Sequence, residues 1–147
     1  MPIFSLGFEI QINVSPQTVY DHLRDPHNLV GLQPLLTHVE NVQASHTSVS
    51  YDTVEAFRWL GIFLYRNRIH VRTTFIDPPQ RLETVVHSFP NITLQVGYTF
   101  TPQAGGALLR ESVQISCHAW LAGFVTDQAT HAQTALLENL KTRLEAG

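Results

Sequence analysis

The sequence is poor in charge, nearly free of cysteine, and carries none of the short motifs that announce a chemistry. Only 14% of its 147 residues are Asp, Glu, Lys or Arg, against roughly 25% in ordinary soluble domains. Nine basic and twelve acidic side chains give a net charge of −3 and are scattered singly. That pattern excludes the basic stripe that nucleic acid or an anionic membrane selects. Cys117 is the sole cysteine, so no intramolecular disulfide forms and a reducing cytoplasm suits the chain. No run approaches the ~18 apolar residues of a membrane span. The opening MPIFSLGFEI lacks the basic start and small-residue cleavage site of a signal peptide. The expectation is a cytoplasmic protein without an integral membrane segment. There is no G-x-S-x-G, P-loop or G-x-G-x-x-G. Eight histidines are present, but no two stand at i, i+2 or i, i+4, so neither a metal nor a cofactor is expected.

What remains is apolar. Hydrophobic residues make up 44% of the chain, and one domain spanning residues 1–147 is long enough to bury a core. A sparsely charged protein of this kind holds apolar surface around an internal cavity or hides it in a partner interface, as a monomer or a homodimer.

The last quarter organises the rest. From Leu121 to Glu145, winding at ~100° per residue puts Leu121, Val125, Ala129, Ala132, Leu136, Leu137, Leu140 and Leu144 on one side. Asp127, Thr130, His131, Thr134, Glu138, Lys141 and Glu145 fall on the other. Such a helix is roughly 35–40 Å long and needs a large apolar surface to lie on. The alanines at mid-stripe leave space beneath them.

Ahead of it the texture is β. Strict alternation predicts a strand over Phe4–Val14. Ser15-Pro16 then starts a short helix over Pro16–Arg24, and a second short helix or turn covers His27–Leu32. Strands follow near Thr37–Ala44, Val49–Leu60, Ile62–Ile76, Arg81–Ser88, Ile92–Thr101 and Ala107–His118, split by Gly, Pro and small polar residues. The order predicts an α+β architecture: a seven-stranded antiparallel sheet curled around one long C-terminal helix, with two short helices after the first strand.

The stretch FEIQINVSPQTVYDHLRDPHNLVGLQPLLTHVENV (residues 8–42), the IDPPQRLE segment (76–83) and the closing helix resemble the START/Bet v 1-like superfamily. This is the SRPBCC or polyketide cyclase/dehydrase group, with its helix-grip fold. The resemblance implies an apolar cavity between sheet and helix that carries or acts on lipids, sterols, quinones or polyketides. Many members place an aromatic residue shortly before the proline that here ends Gly31-Leu32-Gln33-Pro34, so no particular cyclase site transfers.

Parity supplies candidate site residues. Ile92, Leu94, Val96, Tyr98 and Phe100 share a face, as do Glu111, Val113, Ile115 and Cys117. The cavity walls expected from these sets are Leu94, Val96, Val113 and Ile115, with Val125, Ala129, Ala132 and Leu136 from the helix. Tyr98 is the expected polar contact, because an inward hydroxyl must find a partner. Glu111, a carboxylate costly to bury without a partner, is expected at a strand end or cavity mouth; turned inward, its raised pKa makes it the candidate general acid. A two-residue hairpin at Leu60-Gly61 would oppose Glu55 to Arg66 and send Arg58 inward with Val54 and Ala56; Arg58 is therefore the second catalytic candidate. Arg66, Arg68, His70 and Arg72 form a solvated outer face, and Cys117 is read as a core thiol. Three functions stay open. The first is binding or transport of a bulky hydrophobic small molecule, the second a polyketide aromatase/cyclase-type enzyme, and the third an interaction module acting through a partner protein.

Overall fold

The computed structural model describes residues 2–34, 36–59 and 63–147, with the backbone alone for 56–59 and 63–67. Seven strands alternate with turns: β1 (Ile3–Ile12), β2 (Leu36–Ala44), β3 (Ser48–Trp59), β4 (Phe63–Ile76), β5 (Arg81–Ser88), β6 (Ile92–Gln103) and β7 (Gly106–Ser116). They form one sheet in the order β1-β7-β6-β5-β4-β3-β2, every neighbouring pair antiparallel. Helix α1 (Pro16–Leu23) and a 3-10 turn (Pro26–Leu29) follow β1, and the unbroken α2 (Ala122–Ala146) closes the chain. This is the helix-grip architecture that the element order predicts.

Local chemistry sets the boundaries. Ser15 caps α1, its Oγ accepting the Thr18 amide at 3.2 Å, and Pro16 occupies the first turn, where a missing N–H costs nothing. Asp25 caps the 3-10 turn in the same way through the His27 amide at 3.0 Å. In the β6–β7 hairpin Gly105 adopts φ +83, and a Cβ on Gly106 would collide with the Ile12 carbonyl oxygen. Glycine is needed there because β7 turns directly beneath the end of β1.

The register stacks the inner face into rows across the sheet. One row runs Tyr51, Val71, Val86, Leu94, Ile115, Phe4; the next Val49, Thr73, Thr84, Val96, Val113, Leu6; the third Phe75, Leu82, Tyr98, Glu111, Phe8. Parity therefore reads correctly for β1, β5, β6 and β7. It fails for β3. Glu55 pairs with Asn67, not Arg66, and this one-residue difference exchanges the two faces of the strand. Val49, Tyr51 and Thr53 are the buried, inward residues. Val54, expected inward, is buried too but has the opposite parity to these three, and the Ala56 side chain lies outside the described residues. The Leu60-Gly61 turn and the Arg58 and Arg66 side chains lie outside the described residues. On the outer face, exposed Arg68 pairs with Glu40 at 3.0 Å and His70 with Asp52 at 2.9 Å.

Three apolar clusters make the core. Helix α1, the C-terminal half of α2 and the β1, β5, β6 and β7 residues beneath them gather Val19, Tyr20, Leu82, Phe100, Leu109, Leu137 and Leu140. Leu121, just ahead of α2, and the N-terminal half of the helix, through Val125 and Ala129, cover Val96, Val113, Ile115 and Cys117. Val49, Tyr51, Ile69 and Val71 form a third group on β3 and β4.

Candidate functional site

Where the three clusters meet, the core does not close. A cavity of about 80 Å³ lies there, with Leu23, Leu82 and Leu136 from the first cluster, Val96 from the second, and Tyr51 and Val71 from the third among its walls. The remaining walls explain the opening, because they include Thr53, Thr73, Thr84, Tyr98, Gln33 and Gln133 where leucines would fill the space. Thr73 and Thr84, cross-strand partners, share a hydroxyl–hydroxyl bond of 2.9 Å. Burial holds the Tyr51 hydroxyl up at about 12, against the pull of its hydrogen bond to Thr73.

Beneath Tyr98 sits Glu111, its cross-strand partner on β7. Glu111 is 3% exposed, and neither carboxyl oxygen has a partner in hydrogen-bonding geometry. Burial pushes its pKa to about 7, the nearby Tyr98 hydroxyl pulling weakly the other way. A buried charge without partners is strongly disfavoured, so this group resolves the conflict by staying neutral through mildly acidic pH. Tyr98 is raised well above the ordinary tyrosine value by burial first and by repulsion from the Glu111 carboxyl second. It keeps its proton and donates it to Oε1 of Gln133 at 3.4 Å. Glu111, Tyr98 and Gln133 thus form a polar column from the sheet to the helix, with the cavity alongside.

A second raised carboxyl stands across the sheet. Glu55, paired with the cavity-lining Leu36, is pushed to about 7 by burial.

The cavity is roofed at one side by the segment after α1, which contributes Leu29, Gln33 and Leu36. Helix α2 pins that segment through its carbonyls. Asn139 Nδ2 donates to Leu32 at 2.8 Å, Arg143 Nη1 to Asn28 at 2.7 Å, and Arg143 Nη2 to Val30 at 3.0 Å. Arg143 Nη1 also meets His22 Nε2 at 3.1 Å. Arginine only donates, so Nε2 is the bare acceptor and the ring proton sits on Nδ1. Gly31 permits the approach: it adopts φ +88, and a Cβ there would lie 2.8 Å from Arg143 Nη2.

Of the residues expected from sequence, Tyr98, Val96 and Leu136 line the cavity. Val113, Ile115, Val125 and Ala129 belong to the packed cluster beside it, with Leu94 against them. Ala132 is half-buried, and the space foreseen beneath the two alanines lies instead under Gln133 and Leu136. Glu111 is in the buried column rather than at a strand end or cavity mouth. Gln133 went unnoticed because it is polar, yet it stands four residues after Ala129 and three before Leu136, inside the apolar stripe. Thr53 and Glu55 were hidden by the β3 register.

At about 80 Å³ the cavity is smaller than the roughly 300–1,000 Å³ of typical small-molecule pockets. Among the described residues, tyrosine, glutamine and threonine side chains narrow the groove. Among the described residues no group of three His, Cys, Asp or Glu side chains is placed to hold a metal, and no helix is long and apolar enough to cross a membrane.

Solved structures share this fold over nearly the whole chain. A protein of Thermus thermophilus, TTHA0849, is 17% identical with a TM-score of 0.79, over 97% of this chain and 98% of its own. The ZhuI aromatase/cyclase of Streptomyces sp. R1128 is 10% identical with a TM-score of 0.75, over 97% and 96%. A START superfamily protein of Mycobacterium smegmatis is 12% identical with a TM-score of 0.70, over 97% of both chains. The fold is that of the START/Bet v 1-like superfamily. No curated protein matches the chain. The family model described as a domain of unknown function, DUF7053, matches residues 4–146, and the chain belongs to that family.

Proposed function

We propose that this protein binds a compact, mostly apolar small molecule in the cavity between α2 and the inner face of β3–β6. The observation that carries the reading is the unfilled junction of three core clusters, walled by Leu, Val and Tyr but studded with Thr53, Thr73, Thr84, Tyr98 and Gln133. Apolar walls with a few placed polar groups are what ligand pockets combine. Larger lipids, sterols, quinones or polyketides enter only if the roof over residues 26–34 lifts. The sole cysteine, Cys117, is free and fully buried, which supports placing this activity in the cytoplasm.

The test is a titration by protein NMR with benzene, cyclopentanone and naphthalene, and in parallel native mass spectrometry with organic extraction of the protein purified from cells. Saturable shifts centred on Val96, Tyr98 and Leu136 are expected. If no probe perturbs them saturably and nothing is extracted, the binding reading is wrong.

One observation favours a second reading. Glu111 combines a pKa of about 7 with proximity to a cavity tyrosine, the pairing a proton-transfer enzyme of the aromatase/cyclase type would use. Chemical alteration of an extracted or added ketide, abolished in Glu111→Gln, would put that reading ahead.

A further inference from the structure

We infer that Gln133 sets the pocket's selectivity: its side-chain amide N–H faces the cavity as a donor, so the ligand carries a hydrogen-bond acceptor such as a ketone, aldehyde or ester carbonyl. This rests on the binding reading above and names the class of molecule that reading leaves open.

Three observations converge on it. Gln133 is the one polar residue on the buried face of α2, whose other buried residues are Val125, Ala129, Leu136, Leu137 and Leu140. It is 7% exposed and lines the cavity, so little bulk water reaches it. Its two ends are also distinguished. Oε1 accepts from the Tyr98 hydroxyl at 3.4 Å, while Nε2 makes no hydrogen bond among the described residues. A neutral amide has two N–H donors and one carbonyl acceptor. With the acceptor engaged, what the helix offers the cavity is donor capacity.

Tyr98 fixes that orientation. Its hydroxyl is buried between Gln133 and Glu111, and a phenol in this position retains its proton. Turning the amide over would aim Nε2–H at an O–H that already faces it, donor against donor, unless the hydroxyl rotated away. The apolar walls that share the cavity with Gln133 include Leu136, Leu82, Val96 and Val71, whose side chains accept no hydrogen bond. The other acceptors on the cavity wall are the Tyr51 and threonine hydroxyls and the Gln33 amide; Thr73 and Thr84 are bonded to each other, and none of these groups is hydrogen-bonded to Nε2. A buried donor left unmade is costly, whereas a carbonyl in the cavity satisfies it and keeps its own apolar skeleton against the leucines.

The measurement compares two molecules of one shape, cyclopentanone and methylenecyclopentane, which differ only in C=O against C=CH2. Wild type, Gln133→Leu and Gln133→Met are titrated by NMR, with the side-chain amide resonance of Gln133 followed directly in the wild type. Wild type is expected to bind the ketone about tenfold more tightly than the alkene. The Gln133 amide proton should shift downfield with the ketone alone. Gln133→Leu should bind both equally, through retained alkene affinity and lost ketone preference. Gln133→Met, which removes the donor while keeping the length of the side chain, should lose the ketone preference too. Equal affinities in wild type, or a ketone preference that survives in Gln133→Leu, would overturn the inference while leaving the binding reading intact. Failure of both molecules, with benzene and naphthalene also inert, removes the binding reading and this one with it.

Discussion

At the residue scale, Glu111 is a costly side chain to bury, with both carboxyl oxygens unpartnered. Its carboxyl is raised from the ordinary 4.5 to about 7, so the folded protein prefers the protonated form. The contribution to stability follows from that sign. Below pH ~4.5 the group is neutral folded and unfolded, and folding bears no penalty. As pH rises from 4.5 towards 7 the unfolded chain ionises while the folded one holds its proton, and stability falls. Above pH ~7 the loss levels off at about 3 kcal/mol. Glu111→Gln keeps the shape and removes the ionisation. We expect wild type and variant to be alike in urea unfolding at pH 4.5, and the variant to be more stable by roughly 2–3 kcal/mol at pH 8. Parallel stability curves across that range would mean the carboxyl is solvated or paired. Glu55 shares the raised value but is common to both proteins, so the difference between them isolates Glu111. This residue was legible in part. Alternation along β7 put it on the inner face with Val113 and Ile115, but parity says nothing about depth, and Glu111 lies deep between its cross-strand partners Phe8 and Tyr98.

At the element scale, the segment from Pro26 to Pro34 has little structure of its own and is held by α2. Asn139 and Arg143, one turn apart, engage three carbonyls of that segment, at Asn28, Val30 and Leu32. His22 joins through Nε2, and Asn28 Nδ2 returns a bond to the His22 carbonyl at 3.1 Å. The His22 pKa is lowered, first by burial and then by the Arg143 guanidinium, with Asp25 opposing. A histidine whose folded pKa lies below its unfolded one contributes stability that is present above the ordinary value and lost as pH falls through the folded value. Protonation also ends its role as acceptor and sets two cations face to face. Hydrogen exchange should therefore report faster opening of residues 28–33 as pH drops below the ordinary histidine value, after correction for intrinsic rates, with β6 and β7 unaffected. Arg143→Ala should give that faster exchange already near neutral pH, and His22→Gln should remove the acid-induced step. Exchange in 28–33 that is indifferent to both substitutions would show the roof to be held by its leucines alone. The strands and the helix could be read from periodicity and from Ser15, Asp25 and the prolines, because those signals are local. The latch could not: Leu32 and Asn139 are 107 residues apart, His22 and Arg143 121, and no spacing rule links them.

At the scale of the whole molecule, one long helix lies on a curled sheet and cannot touch all of it equally. Its N-terminal half packs tightly through Val125 and Ala129, its C-terminal half through Leu137 and Leu140, and the slack falls between them, beside Gln133 and Leu136. The sequence suggested slack at the middle of the helix but located it from residue size, under Ala129 and Ala132. Size misleads because the facing strands compensate: Phe4, Leu6 and Phe8 fill the space at the small end of the stripe. Opposite Gln133, by contrast, the rows carry Thr73, Thr84 and Thr53. The two accounts separate experimentally. Ala129→Phe enlarges a residue that is already enclosed, so it should lose about 1–3 kcal/mol in urea unfolding and leave probe uptake in the surviving folded protein unchanged. Val86→Phe instead extends a cavity wall into empty volume, so it should lose less than about 1 kcal/mol while weakening benzene binding at least tenfold. If Ala129→Phe were the silent substitution and Val86→Phe the damaging one, the space would lie under the alanines after all. The cavity between Tyr51, Tyr98 and Gln133 would then be a packed part of the core, because an enlarged side chain is tolerated only where volume exists to receive it.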